Sequence, residues 1–412
     1  MADSTLITGY ETKRRASAAK PLSIVTVHNR YLQRGGEDEV FESEARLLRE
    51  NGCTVEMISQ EMTNPAGIVN KARVAINAVW SDDWFAKFSR QLEQTRPAVV
   101  HIHNFFPIVS PAIYYACRDA GVPVVQTLHN YRLLCPGATF YRDGKICEDC
   151  LHGSLLNGVV HGCYRDSRAG TAVVARMLSV HRRRDTWATM VDRYVALTEF
   201  SRQKFIDGGL PAERIVVKPN FVLPDPGPGK EKGDYALFVG RLVDLKGVPT
   251  LLKAWKLLPE PIPLMIAGDG PYRQQLEAEL KSAGLSTVQY RGRLSRPDTL
   301  AAMQKAKALI FPSEWYEGFP VTIAESFACG TPVICSRLGS MQEIVSDHLN
   351  GLHFEAGSAE SLAAQVRWAW THPDEMAAMS KAARAEFEAR YTAERNYEML
   401  MDIYEGVISE RG

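Results

Sequence analysis

The sequence predicts an α/β protein made of two parallel-sheet halves, and three observations carry that prediction. Short runs rich in Val, Ile and Leu, such as LSIVTVH (22–28), PAVVHIH (97–103) and VPVVQTLH (122–129), recur between amphipathic stretches. Continuous apolar runs suit strands buried on both faces, with the intervening helices as the cover. The alternation stops at FVLPDPGPGKEKGDY (221–235), where Pro, Gly and charge replace any periodic apolar pattern, and then restarts. A chain of 412 residues also exceeds what one ordinary core holds.

The elements follow in order. Residues 1–20, MADSTLITGYETKRRASAAK, read as a flexible polar leader without the apolar block of a secretory signal. The first α/β domain is expected over 21–220, with a strand at 22–28, a turn at Gly35 and Gly36, a helix at 37–51, and further strands at 97–103, 122–129 and 193–198. A linker is placed at 221–235. The second domain, 236–390, contains the strand-like runs YALFVGRL, PLMIAGDG, TVQYRGRL, ALIFPS, TPVICSR and NGLHFEAG. The last segment, 391–412, reads as a helix with Tyr397, Leu400, Met401, Ile403, Tyr404 and Val407 as its apolar positions.

Composition excludes several classes. Lys and Arg number 48, as do Asp and Glu, and a net charge of zero speaks against a protein that coats nucleic acid. No apolar run reaches the ~18 residues of a membrane-spanning helix. Eight cysteines in 412 residues are too sparse for a disulfide scaffold, and with no export signal the expected compartment is the reducing cytoplasm.

Parallel sheets bind ligands at the carboxyl ends of their strands, so the residues just beyond each strand deserve the closest reading. In FVGRLVDLKG, Arg241 and Lys246 follow a strand and sit among glycines. Two cations there suit a diphosphate, which Arg engages bidentately and Lys as a point charge; a solvated turn with two surface cations is the alternative. In SEWYEGFPVTIAESFACGTPVI, Glu317 precedes a helix start near Pro320 and Glu325 lies one to two turns inside it. Such a helix start presents free N–H groups to an anion, and a glutamate beside it can accept from vicinal sugar hydroxyls. A pair of solvated helix-face acids would leave the same pattern.

The spaced pair FVGRLVDLKG and PSEWYEGFPVTIAESFACGTPVI resembles the donor-binding half of the retaining glycosyltransferases of family 4. The resemblance extends over about residues 22–410 and includes the Gly-Gly turn, a histidine after an N-terminal strand, KPN before the linker and the final helix. It implies the GT-B fold: two facing Rossmann-like domains, with the C-terminal helix crossing back to the first. It also implies a nucleotide-sugar donor, UDP- or GDP-linked, and a glycan or lipid-linked acceptor, with a role in cell-surface polysaccharide or glycoconjugate synthesis. Carried over residue by residue, Arg241 and Lys246 match the cations on the donor diphosphate, Glu325 the acid on the ribose hydroxyls, and Glu317 the acid on the transferred sugar. Backbone amides around Gly318, Phe319 and Val321 match donor contacts. Pro320 stands where many members have Gly, and it has no N–H to give. Gly35 and Gly36 match the loop facing the donor phosphates, and His129 the histidine near the reacting carbon. His103 and Asn104 are assigned to the acceptor side.

No Asp-x-Asp pair occurs, so the usual carboxylate site for a catalytic divalent metal is missing and none is expected. Cys135, Cys147, Cys150 and Cys163 follow a C-x11-C-x2-C-x12-C spacing, with one metal-type knuckle and two outlying thiols. They read either as a structural zinc site or as free thiols in an irregular loop. Residues 170–190 contain an apolar stretch followed by Arg182, Arg183 and Arg184. That pattern suits either peripheral contact with an anionic membrane or an ordinary amphipathic helix. The rival readings are a GT-B phosphorylase, a nucleotide-sugar epimerase, a non-catalytic sugar-nucleotide binder and an NAD-dependent oxidoreductase. For the last, IAGDGPYRQQL offers Gly268 and Gly270 but has Arg273 at the third glycine position.

Overall fold

The structure, a computed structural model, describes residues 21–30, 35–61, 68–282 and 284–411. The expected leader, 1–20, lies outside the described residues. Fourteen strands are described: β1 (Ser23–Arg30), β2 (Thr54–Glu61), β3 (Val99–Asn104), β4 (Val124–Thr127), β5 (Tyr141–Arg142), β6 (Lys145–Ile146), β7 (Arg193–Ala196), β8 (Ile215–Val217), β9 (Ala236–Val239), β10 (Leu264–Ala267), β11 (Val288–Tyr290), β12 (Ala308–Phe311), β13 (Val333–Ser336) and β14 (Gly351–Phe354). They form a six-stranded sheet in the order β2-β1-β3-β4-β7-β8, a second in the order β11-β10-β9-β12-β13-β14, and the small antiparallel pair β5-β6. Every pairing within the two large sheets is parallel.

The run of apolar residues in each strand explains the layering. Val99, Val100 and Ile102 of β3 are buried, as are Leu309 and Ile310 of β12, so both faces need helices. In the second sheet the strand order reverses between β9 and β12, and in the first between β1 and β3. Loops leaving neighbouring strands toward opposite faces open a crevice at such points, which is where ligands of open α/β sheets bind.

The final helix, Ala393–Ser409, belongs by sequence to the end of the chain and by packing to the first domain. Its Leu400, Tyr404 and Val407 join Ile24, Leu48, Val99, Val125 and Val195 in one buried cluster. Burying side chains of this size contributes on the order of 1.5–3 kcal/mol each. Thr392 caps the helix, its hydroxyl accepting from the Arg395 N–H at 3.2 Å.

Residues 221–235 are irregular between β8 and β9, yet they are tied down. Asp225 accepts two bonds from the Arg384 guanidinium at 2.8 and 2.7 Å. The Lys232 ammonium donates to Gln304 O, Cys329 O and Thr331 Oγ1. The composition of a loose connector thus conceals a strap pinned along the second domain.

Candidate active site

Arg241 and Lys246 are held by the close stacking of three loops. A Cβ at Gly268 would lie 1.9 Å from Gly240 O, and one at Gly270 2.4 Å from Leu242 O. These two glycines therefore let the loop after β10 lie directly on the loop after β9, and that packing explains the partial dinucleotide pattern. Gly247, at φ +71°, ends a 3-10 turn over Asp244–Lys246 and would meet Pro312 O at 1.8 Å if it carried a Cβ. The Glu314 N–H closes the arrangement by donating to Leu245 O at 2.9 Å.

The Lys246 ammonium then meets Glu317 Oε1 at 2.6 Å. The same oxygen accepts from Ser313 Oγ at 2.6 Å and Trp315 Nε1 at 2.8 Å, and the Glu317 side chain is only 8% exposed. Glu317 is thus fixed by three donors at the end of β12, while Lys246 remains partly open. Arg241 is exposed at the end of β9, without a side-chain partner among the described residues. The structure brings Lys246 and Glu317 into contact and leaves Arg241 beside them, at the reversal point of the second sheet.

The helix Val321–Ala328 begins just past Pro320. Among the described residues the N–H groups of Gly318, Phe319 and Val321 have no acceptor within the protein, as is usual at a helix start. Phe319 itself is buried and packs edge-on against Tyr391. Glu325 lies inside this helix, 3.3 Å from the Arg296 guanidinium, which reaches Glu39 of the first domain at 4.0 Å. Burial pushes the Glu325 carboxyl up to about 7; Arg296 opposes the shift and Glu39 adds to it.

His129 comes from the opposite side, just after β4. A Cβ at Gly318 would stand 2.5 Å from His129 O, so the two domains touch where the loops after β4 and β12 meet. Thr198 Oγ1 and Ser340 Oγ bond across the same junction at 2.9 Å, and Glu343 accepts from the N–H groups of Glu199 and Phe200. Gly35 and Gly36 lie at the start of the helix Gly36–Glu50, and a Cβ on either would meet nothing within 4 Å. Space in front of them is therefore open, although the first turn already carries Glu37, Asp38 and Glu39.

His103 and Asn104 lie just behind this junction, at the end of β3. Asn104 Nδ2 donates to Asn29 O at 2.9 Å and its Oδ1 accepts from the Phe106 N–H, so its side chain ties the ends of β1 and β3 together. His103 Nδ1 lies 2.9 Å from His129 Nε2, and its Nε2 lies 3.3 Å from Glu44 Oε1. Both residues are buried and hydrogen-bonded within the protein.

Behind His103 is a polar cluster that sequence reasoning missed. Glu44 is buried, with Oε2 at 3.0 Å from Lys218 Nζ and Oε1 at 3.2 Å from His101 Nδ1. His101 Nδ1 also meets Tyr404 OH of the final helix at 2.7 Å, and His101 Nε2 meets Thr127 Oγ1 at 2.8 Å. Burial pushes the Glu44 carboxyl up, but Lys218, His101 and His103 together outweigh it and hold the group well below the usual range. Glu44, His101 and His103 are close enough to ligate a metal. Lys218 engages Glu44 Oε2 and Tyr404 OH engages His101 Nδ1, while Glu44 Oε1 and His103 Nε2 face each other without a hydrogen-bond partner.

The four cysteines share the loop that holds β5 and β6, and all are free thiols. A zinc site with Zn–S of about 2.3 Å would bring its sulfurs to about 3.8 Å from one another. No three of these sulfurs lie within 4.8 Å of one another, since Glu44, His101 and His103 form the one such group among the described residues. Burial, then the neighbouring Cys135, pushes the Cys150 thiol up to about 11, and burial raises Cys147 and Cys163 as well. Burial thus favours the protonated form of Cys147, Cys150 and Cys163.

Residues 170–190 contain most of an amphipathic helix with a basic end, the second of their two readings. The helix Arg168–Arg183 turns Val174, Ala175, Met177 and Leu178 into the first core and leaves Arg168, Arg176 and Arg183 exposed. Its apolar face is therefore not free to insert into a lipid layer. Among the described residues no helix is long and apolar enough to cross a membrane.

Comparison with known proteins agrees with this architecture. Residues 35–220 match the model of the glycosyl transferase 4-like domain, and residues 224–386 that of the glycosyl transferases group 1. The chain is 31% identical over 161 residues to the D-rhamnosyltransferase WbpZ of Pseudomonas aeruginosa, a match covering 39% of this chain and 42% of that protein. It is 26% identical to the D-inositol 3-phosphate glycosyltransferase of Nocardiopsis dassonvillei, over 75% of this chain and 71% of that one. Its fold is similar to that of a glycosyltransferase from Rickettsia africae, with a TM-score of 0.69 at 16% identity, covering 95% of this chain and 99% of the other. It is also similar to Anabaena HepE in complex with UDP and glucose, with a TM-score of 0.67 at 17% identity over 93% of this chain and 100% of that one. With both domain models in succession on two Rossmann-like domains, the chain belongs to the group 1, family 4-like glycosyltransferases of the GT-B fold.

Proposed function

We propose that the chain is a retaining family 4 glycosyltransferase moving a sugar from a UDP- or GDP-sugar to a hydroxyl of a glycan or lipid-linked acceptor, in cell-surface polysaccharide or glycoconjugate synthesis. The observation that carries this reading is the Lys246–Glu317 pair beside Arg241, facing His129 across the domain junction. In the reaction, the bond from the anomeric carbon to the diphosphate oxygen breaks. A bond from that carbon to the acceptor oxygen forms on the same face, and the acceptor proton passes to the departing phosphate. No protein nucleophile takes part; Arg241, Lys246 and the amides at the helix start stabilise the leaving charge. Titrating the protein with UDP- and GDP-sugars and determining the anomeric configuration of the product by NMR tests the reading. An inverted product, or no affinity for any nucleotide sugar, would overturn it.

Because protein cations serve the diphosphate, turnover is expected to persist without added magnesium or manganese. A rate restored only by one of those ions after chelation would contradict this. Elemental analysis of the wild type and of a Cys147→Ser, Cys150→Ser variant separates zinc from free thiols in the cysteine loop. Work at a cytoplasmic membrane surface would rest on the exposed arginines of residues 170–190 alone, through electrostatic contact.

Glu325 gives the binding reaction a pH dependence. Ribose hydroxyls donate to a carboxylate, and a group titrating at about 7 instead of its ordinary 4.5 is mostly protonated below neutrality. Affinity for the nucleotide diphosphate is expected to rise with pH, by about tenfold between pH 6 and 8, following the ionised fraction. Glu325→Ala should abolish that slope and weaken binding by roughly 1.5–3 kcal/mol. Calorimetric titration at several pH values reads both effects, and a slope unchanged in a folded variant would remove Glu325 from the site.

A further inference from the structure

The buried cluster of the first domain ends on His129, and its order has a chemical consequence. Glu44 Oε1 lies 3.3 Å from His103 Nε2, and His103 Nδ1 lies 2.9 Å from His129 Nε2. Two imidazoles that share one hydrogen bond cannot both donate into it, so the proton on one ring fixes the other. We propose that Glu44 and His103 are positioning residues that hold His129 as the tautomer protonated on Nε2, so that His129 offers the sugar donor a bare Nδ1 acceptor. The inference rests on the glycosyltransferase reading for its ligand and on the cluster alone for its tautomer.

A bare ring nitrogen against an anionic oxygen in a dry interior sets two lone pairs against each other, whereas an N–H there is attracted. His103 Nε2 therefore carries the proton. Burial, with His101 adding to it, pushes the His103 ring down to about 3, so the ring is neutral and its Nδ1 is bare. His129 Nε2 must then donate to it. Burial and the neighbouring His103 hold His129 well below its usual range, so its second nitrogen, Nδ1, carries no proton. Nδ1 has no protein partner and is not among the occluded unpartnered atoms, which leaves it open at the domain junction.

An acceptor at this position favours sugars that present a hydroxyl to it and disfavours a second acceptor there. The other groups near the relay are already engaged. His28 Nε2 pairs with Asp38 at 2.9 Å, Lys218 with Glu44, and Tyr404 with His101.

The test is histidine-selective 15N NMR on the full ligand-free chain, with the His129 signals assigned by their loss in His129→Gln. The expected result at pH 7 is a protonated, pyrrole-type Nε2 and a bare, pyridine-type Nδ1. Protonation at Nδ1, or a doubly protonated ring, would overturn the proposal. In Glu44→Gln the side-chain amide donates to His103 Nε2, the direction of the relay reverses, and the two His129 signals should exchange character. A folded Glu44→Gln protein with the wild-type pattern would also overturn it. If that variant does not fold, Glu44→Gln with Lys218→Met removes the unpaired buried ammonium and allows the same reading. Absence of glycosyl transfer together with the expected tautomer would defeat the function and leave the relay intact.

Discussion

Arg241→Ala and Lys246→Ala should each lower turnover at saturating donor by about 10²–10³, the usual cost of losing one preorganised donor to a developing negative charge. Their effects on folding should differ, because the two cations sit differently. Arg241 is exposed at the end of β9, and its loss should leave the melting temperature close to that of the wild type. Lys246 is a donor to Glu317, whose side chain is 8% exposed, so its loss leaves a nearly buried carboxylate with Ser313 and Trp315 as remaining donors. That should cost on the order of 1–3 kcal/mol of stability. Stopped assays with saturating donor, paired with thermal melts, read the two quantities separately. Near-full turnover in both variants would mean that the diphosphate is held elsewhere.

The contrast between these two cations also marks how far the sequence could be read. The placement of Arg241, Lys246, Glu317 and Glu325 at strand ends and a helix start was legible because local pattern and position in the sheet coincide there. The strand order was not legible: the reversal between β9 and β12, which places the first two beside Glu317, depends on long-range pairing. The same limit applies to the surroundings of His103 and Asn104. Their strand was readable, but Glu44 and Lys218 lie 59 and 115 residues away from His103 in the sequence. In sequence, Glu44 is one more acid on an amphipathic helix and Lys218 one more cation before a linker. Two weak signals existed: Glu44 falls on the apolar face that includes Val40, Phe41 and Leu48, and HIH places two histidines on one buried strand. A charged residue on a core-facing position needs a partner, but the sequence does not say which one. The four cysteines remain neighbours in the fold, and elemental analysis decides between zinc and free thiols there.

Lys218→Met should be among the most destabilising single changes in the first domain. Lys218 is 1% exposed and its ammonium meets a carboxylate that is equally buried. Removing the cation leaves Glu44 as an uncompensated charge, which typically costs 3–5 kcal/mol, about 10 °C in a domain of this size. His103 remains nearby, but as a neutral ring it supplies a dipole rather than a full charge. Glu44→Gln with Lys218→Met should recover part of the loss, because neither residue then carries a charge. The pH dependence separates this from a mere packing defect. Glu44 is held well below its ordinary 4.5 in the fold, so its contribution is complete above that pH and fades as the medium is acidified through the folded value. The wild type should therefore lose stability on acidification more steeply than the double variant. Denaturant melts from neutral to acidic pH measure this. A Lys218→Met protein within about 0.5 kcal/mol of wild type at pH 7 would show that the pair does not hold the domain together, and that the final helix, joined to it through Tyr404 and His101, is secured by apolar packing alone.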